Sequence, residues 1–429
     1  MPHLSLTELG RSTIDHRYKG IPLGTELRLS EIGAQGWNVA RGDLSLPVTT
    51  LRQSALDNNL VAMAQYCARH GALLAPHGKT TMAPQLFERQ LAAGAWGMTA
   101  ATPSQAAVMR KFGVGRIILA NQLVEPDAWR WVAEQREADD SFEFFSLVDD
   151  PGAIAGADQV LDTVTHRGKL PVLLEIGVDG GRAGARTTEQ ALAVARAVAA
   201  SRHLVLAGVE IYEGLITGGI SPEDMQAIDK VFGQIRDVVT QIAAEKLFGT
   251  EPITVTAGGS AYFDRVVAQL GNWEHLDIPV RLIVRSGCYL THDLGKYHHM
   301  SPLDGRRDAN EPLHLENALH GWARVLSRPE PGLAILGAGK RDLPYDVSLP
   351  VPLQAHPADG SRTVDLSAAH IHKMMDQHAH LTLPADTPLR PGDIVVLGMS
   401  HPCTAFDKTR LLPIIDDDDN VIDAVMTFF

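Results

Sequence analysis

Ala72-Leu73-Leu74-Ala75-Pro76-His77-Gly78-Lys79-Thr80-Thr81 opens with four small or aliphatic residues, stops at a proline and delivers a lysine three residues later. The apolar run reads as a buried strand. Lys79 then falls at the strand's carboxyl end, where a charge is costly unless it has a partner or a bond to make. Two readings stand: a loop lysine facing water, or a lysine that loses its proton and attacks a carbonyl, as Schiff-base lysines do.

Outward from this strand the same alternation runs from about Val48 to Gly287. Pro47-Val48-Thr49-Thr50-Leu51 reads as a strand and Arg52 to His70 as a helix before it. After it come the strand-like runs at Trp96 to Ala100, Arg116 to Ala120, Phe142 to Leu147, Leu170 to Ile176, Leu204 to Ile211, Ile253 to Thr256 and Val280 to Val284. Helical segments starting near Pro84, Pro103, Pro126 and Glu189 separate several of them. Apolar runs alternating with helices predict βαβ units and a parallel sheet. Eight or nine such units predict an α/β fold of the (β/α)8 TIM-barrel type over residues 41–298. A doubly wound open sheet is the alternative, but the early glycines lack the dinucleotide-binding spacing.

After Met300 helical periodicity fades and Pro, Gly and short β-branched runs take over, as in Asp393-Ile394-Val395-Val396-Leu397. Residues 299–429 read as a second, mostly β domain. Residues 1–40 read as an N-terminal extension packing on it. Asp416 to Asp419 reads as a solvated turn between two strands.

The bulk numbers bound the function. Against 51 acidic residues stand 38 Lys and Arg, a net charge of −13, which argues against nucleic-acid or membrane-surface partners. Apolar residues make up 45%, so the chain is globular. Met1 to Thr7 shows no basic region leading into an apolar core, hence no expected secretory signal. No apolar run reaches the length of a membrane helix. Three distant cysteines, Cys67, Cys288 and Cys403, make a disulfide framework a poor expectation and a reducing cytoplasm the better one.

Four predicted strand ends carry polar or Gly-rich sequence: Lys79; the loop Glu175 to Gly184 with Arg182; Thr256-Ala257-Gly258-Gly259-Ser260; and Arg285-Ser286-Gly287-Cys288-Tyr289. The last two can aim backbone N–H groups at a phosphate. Two phosphate turns plus a lysine outline a pyridoxal phosphate site, although glycine in such loops also has purely steric uses. Near the end stands Met399-Ser400-His401-Pro402-Cys403. His401 and Cys403 can offer imidazole and thiolate to one zinc ion and leave positions open for water or substrate; a buried cysteine beside a capping histidine is the plain alternative. His370, His372, His378 and His380 read as solvated histidines, and His298-His299 is ambiguous.

Pro76-His77-Gly78-Lys79-Thr80, Gln90-Leu91-Ala92-Ala93-Gly94-Ala95, the Gly258-Gly259-Ser260 turn and His401-Pro402-Cys403 together resemble the D-serine dehydratase and D-threonine aldolase family of fold-type III pyridoxal phosphate enzymes, related to alanine racemase in the barrel. The likeness spans about Pro47 to Phe429 and is nearest to bacterial amino acid deaminase-type chains. It implies Lys79 as the cofactor lysine, and His77, Arg182, Tyr212, Gly258, Gly259, Ser260, Arg285, Gly287 and Cys288 around the cofactor. Arg285 falls where alanine racemase faces the pyridine nitrogen. His401 and Cys403 are implied as the metal pair, with zinc as the ion and another divalent metal as the alternative. The implied reaction is elimination from a D-3-hydroxy amino acid such as D-serine or D-threonine, giving a 2-oxo acid and ammonia. His-x-Cys resembles the dehydratases, whereas aldolases tend toward His-x-Asp. Retro-aldol cleavage to glycine and an aldehyde is the rival, and a non-catalytic cofactor-binding protein the rival from another class. The resemblance also implies a homodimer.

Overall fold

The computed structural model describes residues 4–429; of the stretch Met1 to Thr7 read for a secretory signal, the first three residues lie outside it. The chain divides into two units. One comprises Ala64–Lys79 and Gln90–Gly287, the other residues 4–63, Thr80–Arg89 and Cys288–Phe429.

The first unit is built on eight parallel strands: β1 (Leu73–Leu74), β2 (Met98–Ala100), β3 (Arg116–Gln122), β4 (Glu143–Val148), β5 (Leu170–Glu175), β6 (Leu204–Ile211), β7 (Ile253–Ala257) and β8 (Val280–Val284). Each pairs in parallel with its successor from β2 to β8, and β8 pairs with β1. The ring closes between β1 and β2. There Trp96 N–H donates to Leu74 O at 2.7 Å, Thr99 N–H to Pro76 O at 2.9 Å, and His77 bridges to Thr99. This is the expected (β/α)8 barrel. Its strands are apolar almost throughout because both faces are covered. Inside, Ala75, Ile118, Phe145, Leu147, Leu173, Ala207 and Ile283 pack together, with Trp96 against them.

Parallel strands need long crossovers, and helices supply them. Several helices are started by local chemistry. Pro103, Pro151 and Pro222 each occupy the first helical turn, behind Thr102, Asp150 and Ser221. The oxygens of those three side chains accept the N–H groups of Gln105, Ala153 and Asp224.

The second unit is an antiparallel β assembly. Its long strand Leu319–Glu330 pairs with Ile394–Gly398 and Leu333–Leu336, and on another edge with Val48–Arg52. This last pairing corrects the sequence reading. Val48–Arg52 was expected to be the first barrel strand; it runs antiparallel to Leu319–Glu330 and parallel to Leu411–Ile415. The barrel therefore starts at the lysine strand, and still counts eight. A buried, largely β-branched run followed by a helix has the same local signature whichever sheet takes the strand, and here the deciding partner lies far downstream. Trp322, fully buried, donates its indole N–H to Thr50 Oγ1 at 2.8 Å across this pairing.

In the same unit Asn38 donates to Asp418 O and Asn420 Oδ1 (2.8 and 3.0 Å). Asp416 to Asp419 joins Leu411–Ile415 to its antiparallel neighbour Val421–Met426, with Arg52 donating to Asp416 O and Asp419 Oδ1. His370, His372 and His378 are exposed in or beside paired strands. His298 shares the carboxylate of Asp304 with buried His292 (2.8 and 2.7 Å). Among the described residues no helix is long and apolar enough to cross a membrane.

Candidate active site

In the barrel unit the sequence-predicted residues collect at one rim, the carboxyl ends of the strands, where barrel enzymes keep their chemistry. Beyond β1 the chain stays tied to β8: Ala75 N–H donates to Val284 O and His77 N–H to Arg285 O, at 2.9 and 3.2 Å. Lys79 follows in the single turn Gly78–Thr80 and is half-buried. His77, two residues before it, has an enclosed Nδ1 with no protein partner. Burial first, then the positive charges of Lys79, Arg285 and Arg182, hold its imidazole pKa well below the ordinary value, so the ring is neutral.

After β5, the Arg182 guanidinium lies over the Tyr212 ring, 5.4 Å from its centroid. Arg186 fastens this loop by donating to the carbonyls of Ala183, Gly184, Gly181 and Arg182. Tyr212, after β6, packs on the turn after β7: a Cβ at Gly259 would lie 3.1 Å from the tyrosine ring. Gly258 has φ +114°, open to glycine at little cost, and its Cβ would meet Val284 and the Arg285 backbone. Ser286 Oγ donates to Gly259 O at 2.7 Å. Lys79, His77, Arg182, Tyr212, Gly258, Gly259 and Arg285 are thus held around one rim, with Ser260 and Gly287 buried in the same two turns.

Two details differ from expectation. The Gly259 amide, expected to face a phosphate, donates at 2.7 Å to Glu213 Oε1. Arg285 is committed to protein: it donates to the Glu210 carboxylate, to Ile211 O at 3.1 Å and to Thr256 Oγ1 at 3.2 Å. Glu210 is 1% and Arg285 3% exposed.

Three buried carboxylates here escaped sequence reasoning as site residues. Glu175, at the end of β5, accepts from Gln122. Burial, then the nearby charge of Glu210, pushes its pKa up to about 7. Burial also raises Glu210, against the pull of Arg285, and raises Glu213. The available signal was a lone acid in the last two positions of an apolar strand, in Leu173-Leu174-Glu175 and Val209-Glu210-Ile211.

The second predicted cluster lies in the antiparallel unit. His401 caps the short helix Pro402–Phe406, and its Nδ1 is 2.6 Å from Asp346 Oδ2. Thr404 Oγ1 donates to the other oxygen of Asp346 at 2.8 Å. Cys403, two residues on, is the main cause that raises the imidazole pKa to about 9, and Asp346 adds to it. Cys403 Sγ lies 3.4 Å from Thr80 Oγ1 and 3.7 Å from Cys288 Sγ. The Cys288 thiol, expected beside a phosphate, is therefore turned to Cys403.

An imidazole and a thiol two positions apart, with the imidazole Nδ1 anchored by a carboxylate, is a donor set that fits zinc. Among the described residues no three His, Cys, Asp or Glu side chains form a metal-holding group. The protein would supply two ligands and leave the others to water or substrate. In the barrel, Lys79, the partnerless His77 Nδ1 and the glycine turn under Tyr212 fit pyridoxal phosphate.

Comparison with known proteins agrees with this architecture. The family model "Alanine racemase, N-terminal domain" matches residues 51–300 and "Putative serine dehydratase domain" matches 318–415. The chain is 28% identical over 313 residues to a 3-hydroxy-D-aspartate aldolase of Paracoccus denitrificans, covering 72% of this chain and 75% of that protein. In fold it resembles the D-threonine aldolase of Filomicrobium marinum, with TM-score 0.75 and 23% identity over 91% of this chain and 96% of that one. It also resembles the D-threo-3-hydroxyaspartate dehydratase of Delftia sp. HT23, with TM-score 0.69 and 20% identity over 90% and 98%. An alanine racemase-type barrel followed by a serine dehydratase-type β domain defines the lineage: the chain belongs to the D-serine dehydratase and D-threonine aldolase family of fold-type III pyridoxal phosphate enzymes.

Proposed function

We propose that the protein is a pyridoxal phosphate- and zinc-dependent lyase that converts a D-3-hydroxy amino acid, such as D-serine or D-threonine, to a 2-oxo acid and ammonia. The observation that carries the elimination reading is the His401–Cys403 pair with Nδ1 anchored by Asp346, in a chain whose barrel presents Lys79.

Bound pyridoxal phosphate would supply the electron sink for charge developing at Cα. Lys79 would hold the cofactor and, as a free amine, would take the Cα proton as general base. Neutral His77 adds no positive charge beside that amine. Arg182, over the Tyr212 face, supplies a cation at the rim. Arg285, held by Glu210, is in this reading a fixed cation that would disfavour protonation of the ring nitrogen. A divalent ion on His401 and Cys403 would act as Lewis acid toward the departing β-hydroxyl. The water lost in elimination is regained when the released enamine hydrolyses, so the net products are the 2-oxo acid and ammonia.

Incubation with D-threonine tests the reading. 2-Oxobutanoate and ammonia support it; glycine and acetaldehyde would move the protein to the retro-aldol reading, which the 28% identity to a 3-hydroxy-D-aspartate aldolase favours. Cofactor binding without turnover of any D-3-hydroxy amino acid would leave a non-catalytic binding protein. Borohydride reduction followed by peptide mass should place the cofactor on Lys79 and lose it in Lys79→Ala. A homodimer is proposed with this reading, and light scattering checks it.

A further inference from the structure

Two thiols of the antiparallel unit touch. Cys288 Sγ lies 3.7 Å from Cys403 Sγ, although the residues are 115 positions apart in sequence. The hydroxyl of Thr80 borders both, at 3.8 Å from Cys288 and 3.4 Å from Cys403. Cys288 opens the turn Cys288–Leu290 and is 5% exposed; Cys403 sits in the first turn of Pro402–Phe406 and is half-buried. A disulfide has an S–S length of about 2.05 Å. The sulfurs must therefore close by roughly 1.7 Å, a movement shared between two side chains that each turn about one bond.

We propose that Cys288 and Cys403 are an oxidative modification site, converted to a reversible disulfide by a two-electron oxidant of the peroxide class. Cys403 sulfur attacks one peroxide oxygen; the O–O bond breaks, a sulfenic acid forms and water leaves. Cys288 sulfur then attacks that sulfur; the S–S bond forms, the S–O bond breaks and a second water leaves. Two thiols and one hydrogen peroxide give one disulfide and two waters. A dithiol reductant reverses the change. Cys288 is the resolving partner because it is the thiol already in contact, which diverts Cys403 from irreversible over-oxidation.

A consequence rests on the metal reading: a disulfide removes the sulfur ligand beside His401, so oxidation should release the ion. The disulfide itself does not rest on that reading. Purified protein treated with hydrogen peroxide, alkylated and digested should yield the Cys288 and Cys403 peptides linked, with two hydrogens lost, and dithiothreitol should restore alkylation at both. Cys67, a buried residue of the barrel unit with its pKa pushed up to about 12 by burial, is the unreacted control. In Cys288→Ser, and in Cys288→Ala should serine not fold, Cys403 should go on to sulfinic acid that dithiothreitol does not reverse. Cys403 reaching sulfinic acid in the unaltered protein while Cys288 stays free would overturn the proposal, as would no oxidation at either position. A link formed without change in zinc content upholds the disulfide and removes the metal reading.

Discussion

Arg285→Met should destabilise the barrel strongly, and adding Glu210→Met should restore most of the loss. The ion pair is almost wholly enclosed, with Glu210 1% and Arg285 3% exposed, so solvent screening gives little discount. Removing the guanidinium strips Glu210 of its partner, while the second oxygen of that carboxylate already has none. Breaking a buried pair from one side costs about 3–5 kcal/mol, whereas replacing both partners by apolar side chains is often near neutral. The double variant keeps only the lost bonds to Thr256 and Ile211 O, about 1 kcal/mol each. The cycle should therefore show a coupling of about 2 kcal/mol or more. The pH dependence has a definite sign. Burial raises Glu210 in the fold and Arg285 opposes it; without Arg285 the folded pKa lies further above the unfolded one. The unfolded state then ionises first, so Arg285→Met should lose stability as pH rises and recover it as pH falls. Native-state hydrogen exchange at the amides of β6, β7 and β8 reads this locally, whatever the other unit does. Equal destabilisation of the single and double variants, or a deficit in Arg285→Met that grows toward acid pH, would refute the argument.

Glu175→Gln should flatten the pH–stability profile near neutrality. With a pKa of about 7 against an ordinary 4.5, the native carboxyl contributes least above pH 7, and glutamine should gain up to about 3 kcal/mol at pH 8 and little at pH 4 in the same exchange measurement. Gly208→Ala should abolish soluble barrel or cost about 3–5 kcal/mol by circular dichroism melts, because the new Cβ would stand 1.8 Å from Thr254 O across the β6–β7 pairing. On the metal reading proposed above, Asp346→Ala should weaken zinc retention about 10–100-fold in chelator competition by freeing the His401 ring; unchanged retention would mean the carboxylate does not orient that ring.

The barrel was legible because each strand is a short apolar run and several helices announce themselves with a cap and a proline, as at Thr102-Pro103 and Asp150-Pro151. Both are local signals. Val48–Arg52 defeated the reading because its partner choice is not local. The same line separates the candidate site residues. Lys79, His401 and Cys403 stand out by spacing within ten residues. The Glu210–Arg285 pair, the Glu213 bond to Gly259 and the Cys288–Cys403 contact join positions 75, 46 and 115 apart. Cys288 was read from its glycine neighbour as part of a phosphate turn. The side chain followed a contact no short window contains.

The strand Val48–Arg52 carries a cost in biosynthesis. Thr50 meets its hydrogen-bond partner Trp322 across 272 positions. At roughly 5–20 residues per second of synthesis, that partner emerges about 15–55 s later. All eight barrel strands, ending at Val284, are made in the interval. The barrel can fold first while a strand with apolar side chains waits upstream of it with its edge unsatisfied. During that wait Val48–Arg52 is open to pairing with another nascent chain. Slower translation after Val284 should therefore lower soluble yield, and chaperones that bind extended apolar segments should be needed most before Leu319 is made.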